Sequence, residues 1–195
     1  AELGLQHMEI EFVHGVRMSE KTAYQVRELA ERHNVSLTVH APYYINLNSA
    51  EPEKVEASKQ RILQAARIGA KAGAKSVTFH AAFYHEADPK QVYQVVKGHM
   101  EDMLAELAKH GVDIRLSPET TGGPTQFGTL EELVRLGQDL PGVFPCVDFA
   151  HLYARSLGEL NTYEDFAAVL ELISRNLGPE ALQAVHIHLS GIEHG

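Results

Sequence analysis

One repeated unit leaves few folds open to this chain: a short β-branched, apolar run ending in His, Glu or Asp, then a loop, then a helical pattern. Residues 36–40, Ser-Leu-Thr-Val-His, show it best. Pro42 stops that run two residues after His40, and Tyr43, Tyr44, Asn46 and Asn48 follow before any helical period begins. A strand that delivers His40 into a polar, aromatic loop predicts the lip of a site. The unit recurs to the end of the chain. Residues 8–13 alternate as a strand, and residues 76–80, 113–119, 144–151 and 185–190 read as further strands.

Helices are predicted between the strands. Ser19 caps a helix running to about residue 32, and residues 53–72 carry a core-facing stripe of Val55, Ile62, Ala66 and Ile68 closed by Gly73. Pro89 opens a helix to about residue 110, followed by Gly111. Thr129 and Glu132 form a capping box for the next, and residues 163–176 form the last, closed by Gly178 and Pro179. Residues 1–6 read as the tail of another helix. Strict alternation of strand and helix predicts βαβ units, a parallel sheet and right-handed crossovers within one domain spanning residues 1–195.

In parallel α/β folds, ligands gather at the C-terminal ends of strands. Five of the six predicted strands place a candidate ligand there: His40, His80, Glu119, Asp148 with His151, and His188. A single strand-end His is more often a satisfied polar residue than a ligand. Five at one structural address predict a metal centre, and imidazole with carboxylate suits Zn²⁺ or Mn²⁺. Six ligands exceed the needs of one tetrahedral zinc, so two or more ions are expected. Adjacent metals suit phosphate-ester hydrolysis. A sugar isomerase or epimerase is the competing enzyme, with Glu11 and Glu119 as its acid/base pair.

Glu9 and Glu11 share a face, and Glu11, nearer the strand end, either lines the site or pairs with a neighbouring strand. His186 and His188 also share a face, with His188 better placed and His186 a candidate for the site lining. Cys146 lies deeper than Asp148 on one strand face and reads as core. His14, His85, His99 and His110 read as surface residues. Arg17 and the loop tyrosines read either as nucleic-acid or sugar contacts or as loop packing.

The net charge of −9 argues against a broadly basic nucleic-acid surface, although bound divalent metals offset part of it. No apolar run approaches the roughly 18 residues that span a bilayer, and no signal pattern begins the chain. One cysteine provides no disulfide framework, so a reducing cytoplasm is expected. No glycine-rich phosphate loop, nucleophile elbow or paired-cysteine zinc motif is present.

At these residues the chain resembles the endonuclease IV family of metal-dependent apurinic/apyrimidinic endonucleases. The resembling motifs are Val39-His40-Ala41-Pro42-Tyr43 with Ile45-Asn46-Leu47, Phe79-His80, Pro118-Glu119-Thr120-Thr121-Gly122, Val147-Asp148-Phe149-Ala150-His151 and His188-Leu189-Ser190-Gly191. The resemblance implies a TIM barrel, a three-metal centre usually of zinc, and cleavage of damaged double-stranded DNA 5′ to abasic sites, with removal of blocked 3′ ends. It implies His40, His80, Glu119, Asp148, His151 and His188 as ligands, with Glu119 bridging metals and positioning the attacking hydroxide. Tyr43, Arg17 and Asn46 are the implied DNA or substrate contacts.

The family site also uses an Asp-x-His pair and a final-strand Glu beyond His188, and Glu193 and His194 lie too close to His188 to replace them. A TIM barrel needs eight strands and about 250 residues. The six predicted strands therefore correspond to the second through seventh. The expectation is an incomplete barrel in a piece of a longer chain, monomeric unless another chain closes it. A metal- or DNA-binding remnant without turnover is the non-enzymatic alternative.

Overall fold

Short strands of β-branched residues and long amphipathic helices alternate in a computed structural model that describes residues 3–192. The strands are β1 (His7–Glu11), β2 (Ser36–His40), β3 (Ser76–Phe79), β4 (Ala82–Phe83), β5 (Arg115–Pro118), β6 (Gln126–Phe127), β7 (Cys146–Asp148) and β8 (His186–His188). The helices are α1 (Glu20–Arg32), α2 (Pro52–Ala72), α3 (Pro89–Lys109), α4 (Leu130–Asp139), α5 (Phe149–Arg155) and α6 (Tyr163–Leu177), with a short 3₁₀ helix at Pro179–Gln183.

β1, β2, β3 and β5 pair in that order, all parallel. Parallel bridges from Leu116 to Val143 and from Glu119 to Cys146 extend the sheet to β7, which pairs with β8. Six parallel strands therefore follow one another around an arc, in the neighbour order of a TIM barrel. The registers set Glu11 beside His40 and Asp148 beside His188, so the polar strand ends lie level. β4 and β6 form a small antiparallel ribbon in the loops after β3 and β5.

Local chemistry explains the boundaries. Ser19 caps α1 by accepting from Thr22 N, and Asp88 caps α3 by accepting from Lys90 N and Gln91 N. Thr129 and Glu132 form the expected capping box on α4. Gly73, with φ of 84°, ends α2 in the left-handed conformation that an L side chain resists. The main core joins the strands to α2 and α3 through Val39, Val77, Phe79, Met100, Met103 and Phe127. A second cluster lies under α4, α5 and α6 around Val147, Phe149, Val169 and Ile173.

Several expectations need correction. Leu3 lies in a turn and residues 4–6 have no regular structure, so no helix tail is found there; residues 1 and 2, with Glu193 and His194, lie outside the described residues. The fifth predicted strand ends at Asp148, not His151, because the Asp148 side chain accepts from His151 N and starts α5. The third strand ends at Phe79, and β8 covers only the centre of the last predicted run. The ribbon β4–β6 and helix α5 are too short to leave a clear period in the sequence.

Two packing features yield measurable consequences. At Gly69 of α2 a Cβ would lie 2.8 Å from Val39 Cγ2 and 3.3 Å from Ile114 Cδ1, so this glycine lets the helix settle onto β2. Gly69→Ala is expected to lower stability by about 1–3 kcal/mol in urea unfolding, because both neighbours are core groups with little room to yield. On the α3–α4 side, Tyr84 Oη donates to Glu132 Oε2 at 2.7 Å and Tyr93 Oη donates to Asp139 Oδ2 at 3.0 Å. Burial first, and then the facing carboxylates, push both phenols well above their ordinary value. The unfolded chain therefore releases these protons first, and stability falls as pH rises past about 10. Unfolding midpoints across that range should fall less steeply in Tyr84→Phe and Tyr93→Phe than in the native chain.

Candidate metal centre

Residues at and just beyond the strand ends place five polar side chains around one carboxylate. Glu119, in the bridge residue just after β5, is 2 % exposed. His40 Nε2 lies 3.1 Å and His80 Nε2 2.8 Å from its Oε2, while His188 Nδ1 lies 2.7 Å and His151 Nδ1 3.6 Å from its Oε1. Asp148 Oδ2 stands 3.7 Å from His151 Nδ1 and 3.8 Å from His188 Nδ1. The rings of His80 and His151 meet edge-on with centroids 5.3 Å apart. Burial alone would raise the Glu119 carboxyl, but hydrogen bonds from His188 and His40 and the closeness of His80 hold it well below the usual carboxylate range. Burial opposes charge on His40 and His188, yet their carboxylate partners raise both above the ordinary imidazole value.

The backbone orients these rings. His40 Nδ1 lies 2.7 Å from Ala41 O, and a carbonyl oxygen only accepts, so Nδ1 carries the proton. Nε2 is then the atom that faces the Glu119 carboxylate, as a donor when His40 is protonated and as a lone pair open to a cation when it is neutral. His151 repeats the pattern: its Nδ1 donates to Thr120 O at 2.8 Å, leaving Nε2 as the bare donor atom. His80 Nε2 is buried and makes no hydrogen bond, despite its closeness to Glu119. Imidazoles oriented by backbone carbonyls beside buried carboxylates are how proteins hold metal ions. Two groups that share Glu119 have donor atoms within 4.8 Å of one another: His40, His80 and Glu119, and Glu119, Asp148 and His151. The mixed nitrogen and oxygen donors fit zinc or manganese.

Neighbouring loops are tied to the same frame. Thr120 Oγ1 accepts from Asp148 N at 2.8 Å, locking β5 to β7 beside the cluster. Arg155 of α5 donates through Nη1 to Thr121 O, Gly123 O and Gln126 O, pinning the loop after Glu119. Tyr43 is 54 % exposed, with its ring 5.6 Å from that of His40, so it flanks the cluster with an open face. Asn46 is engaged in holding loops together: Oδ1 accepts from Asn48 N and Phe83 N, and Nδ2 lies 3.2 Å from His85 Nε2. Arg17 is exposed in the loop between β1 and α1.

Glu11 stands at the solvent-exposed end of β1, and partial desolvation of its carboxyl together with nearby Glu9 and Glu119 raises it above the ordinary carboxylate value. Glu9, two residues deeper, makes the closer contacts. Its Oε2 lies 2.8 Å from His188 Nε2 and its Oε1 3.2 Å from His186 Nε2. Sequence reasoning placed Glu9 on the correct strand face but left it out of the site, because its partners come from the far end of the chain. Arg155 was missed for a related reason: its role appears only once α5 turns back under the Glu119 loop.

A sequence model of the xylose isomerase-like TIM barrel family matches residues 1–193. The chain belongs to this family. It is 42% identical over 194 residues to an uncharacterised protein of Methanocaldococcus jannaschii, covering 100% of this chain and 70% of that one. It is 28% identical over 166 residues to a probable endonuclease 4 of Oceanobacillus iheyensis, covering 82% of this chain and 53% of the relative. The chain thus spans only about half the length of that relative. Among solved structures, endonuclease IV from Thermus thermophilus superposes with a TM-score of 0.73 at 25% identity, over 97% of this chain and 69% of that one. A D-tagatose 3-epimerase-like protein superposes with a TM-score of 0.71 at 18% identity, over 96% of this chain and 67% of that one, a likeness of fold alone.

The shared carboxylate sets the expected outcome of mutation. Glu119→Gln keeps the side-chain volume but removes the charge common to both donor groups, so it should lower bound zinc or manganese more than His80→Ala, which touches one group. Elemental analysis after dialysis against the metal checks this; equal ion content in the two variants would contradict it.

Proposed function

We propose that this chain forms a metal-dependent phosphodiesterase centre of the endonuclease IV type, acting on the DNA backbone 5′ to abasic sites. The observation that carries the reading is one buried carboxylate, Glu119, shared by two donor groups side by side. His40, His80 and Glu119 would hold one ion, and Glu119, Asp148 and His151 a neighbouring one, with His188 positioned on Glu119. Adjacent divalent ions supply positive charge to both the attacking and the leaving oxygens of a phosphodiester displacement.

The chain's own residues then position the substrate. Exposed Tyr43 offers a stacking or wedging surface beside the cluster, and Arg17 offers a cation to a backbone phosphate. Asn46 ties the loop that carries Tyr43 to the segment at Phe83 and His85. The probable endonuclease 4 relatives and the Thermus thermophilus endonuclease IV support this reading.

A sugar isomerase or epimerase of the same barrel is the second reading. A net charge of −9 favours it, because a duplex phosphate backbone demands cations on the protein. In it, Glu119 and Glu11 would move the proton. The two are separated by incubating the zinc- or manganese-loaded chain with a duplex carrying one abasic site, with the intact duplex and with ketoses. Nicking 5′ to the abasic site, lost in Glu119→Gln and absent on intact duplex, is the expected result. Ketose turnover without nicking would overturn the nuclease reading.

A further inference from the structure

Beneath the Glu119 cluster, toward the N-terminal ends of the strands, lies a second convergence of donor atoms, of which His188 alone also touches that cluster. Cys146 begins β7 and pairs in register with His186 at the start of β8, while Glu9 reaches His186 from β1. Cys146 Sγ, His186 and His188 offer donor atoms within 4.8 Å of one another. His186 Nε2 lies 3.0 Å from His188 Nε2, and the two oxygens of Glu9 stand against these same nitrogens at 3.2 and 2.8 Å. Cys146 Sγ lies 3.9 Å from His188 Nε2. We propose that Cys146, His186, His188 and Glu9 form a separate, single-ion site for a divalent metal of the zinc class.

Three observations carry this assignment. Three short contacts join the Glu9 carboxylate and the two Nε2 atoms, yet each imidazole nitrogen bears at most one proton. If both donate to Glu9, two N–H dipoles confront each other across 3.0 Å; an ion among them satisfies every lone pair. The spacing also fits. A tetrahedral zinc with bonds of about 2.0–2.3 Å holds its donors roughly 3.3–3.7 Å apart, and the separations here bracket that range. The charge balances as well: a bound divalent cation deprotonates the thiol, and thiolate plus carboxylate neutralise it in a largely buried setting.

Supporting groups and an entry path are present. Thr38 Oγ1 donates to Glu9 Oε1 at 3.3 Å and so orients the carboxylate. His188 turns Nδ1 to Glu119 and Nε2 to this lower site, so one ring contacts both clusters through different atoms. A polar cavity of about 450 Å³, lined by His7, Ser36, Thr38, Lys75, Arg115 and His186, opens below His186 and provides a route for the ion. The assignment is independent of whether the upper centre acts on DNA or on a sugar.

Cobalt titration of the metal-free chain tests it, since a cysteine thiolate bound to Co²⁺ gives a near-ultraviolet charge-transfer band that imidazole and carboxylate do not. The native chain should show the band, Cys146→Ser should lose it, and His186→Gln should lose it together with about one ion per chain by elemental analysis. His80→Ala, confined to the upper cluster, should keep the band while binding less metal overall. Far-ultraviolet dichroism establishes that each variant is folded, and His186→Gln carries the test if the buried Cys146→Ser is not. Absence of the band in the native chain, or a band and ion count unchanged in His186→Gln, would overturn the site. So would a band that disappears in His80→Ala and persists in His186→Gln, and an empty, purely hydrogen-bonded cluster would be the conclusion.

Discussion

A buried carboxylate cannot keep its charge without compensation, and Glu119 is compensated from every side. His40, His80 and His188 come from three separate strand ends and His151 from the first turn of α5, and the parallel register brings all four near this one side chain. The sheet therefore does more than support the site. Its level strand ends are what allow residues 40, 80, 151 and 188 to meet within about 3.6 Å of the Glu119 carboxylate. A one-residue slip of any strand would turn its ligand to the opposite face and leave the carboxylate short of a partner.

The second dependence is on backbone carbonyls. Ala41 O and Thr120 O each take one imidazole proton and thereby decide which nitrogen of His40 and of His151 is left bare. This control makes little demand on sequence, since any residue supplies a carbonyl. It is strict in geometry, because the loop must hold that oxygen against the ring. Pro42 after Ala41, and the Thr120 link to Asp148, supply the needed stiffness.

The parallel α/β architecture and the gathering of most candidate residues around Glu119 were legible because both obey local rules. The strand expected to end at His40 does so, Glu119 follows its strand directly, and the helix caps at Ser19 and Thr129 fall where their side chains indicate. His151 was found as a candidate but set on a strand, since nothing in Val147-Asp148-Phe149-Ala150-His151 separates a continuing strand from a helix whose cap is Asp148. Glu9 was harder. Its role depends on β8 standing opposite β1, a contact between residues 9 and 186–188 that no local pattern encodes. Asn46 fitted a contact motif, yet its side chain is occupied by Asn48, Phe83 and His85.

Residues 146–151 combine demands that elsewhere in the chain are separate. Cys146 belongs to the lower cluster, Asp148 both caps α5 and faces the upper one, and His151 sits one helical turn beyond its own cap. Because α-helical residues advance by about 100° each, a single inserted residue after Asp148 would swing the imidazole a quarter-turn or more away from Glu119. An insertion before Asp148 would reverse the faces of Cys146 and Asp148 relative to each other. Length in this stretch is thus constrained more tightly than composition. Among relatives, gaps should collect in the connection between α5 and α6, where the chain crosses no ligand, while the spacing from thiol to imidazole stays fixed even where the identities drift.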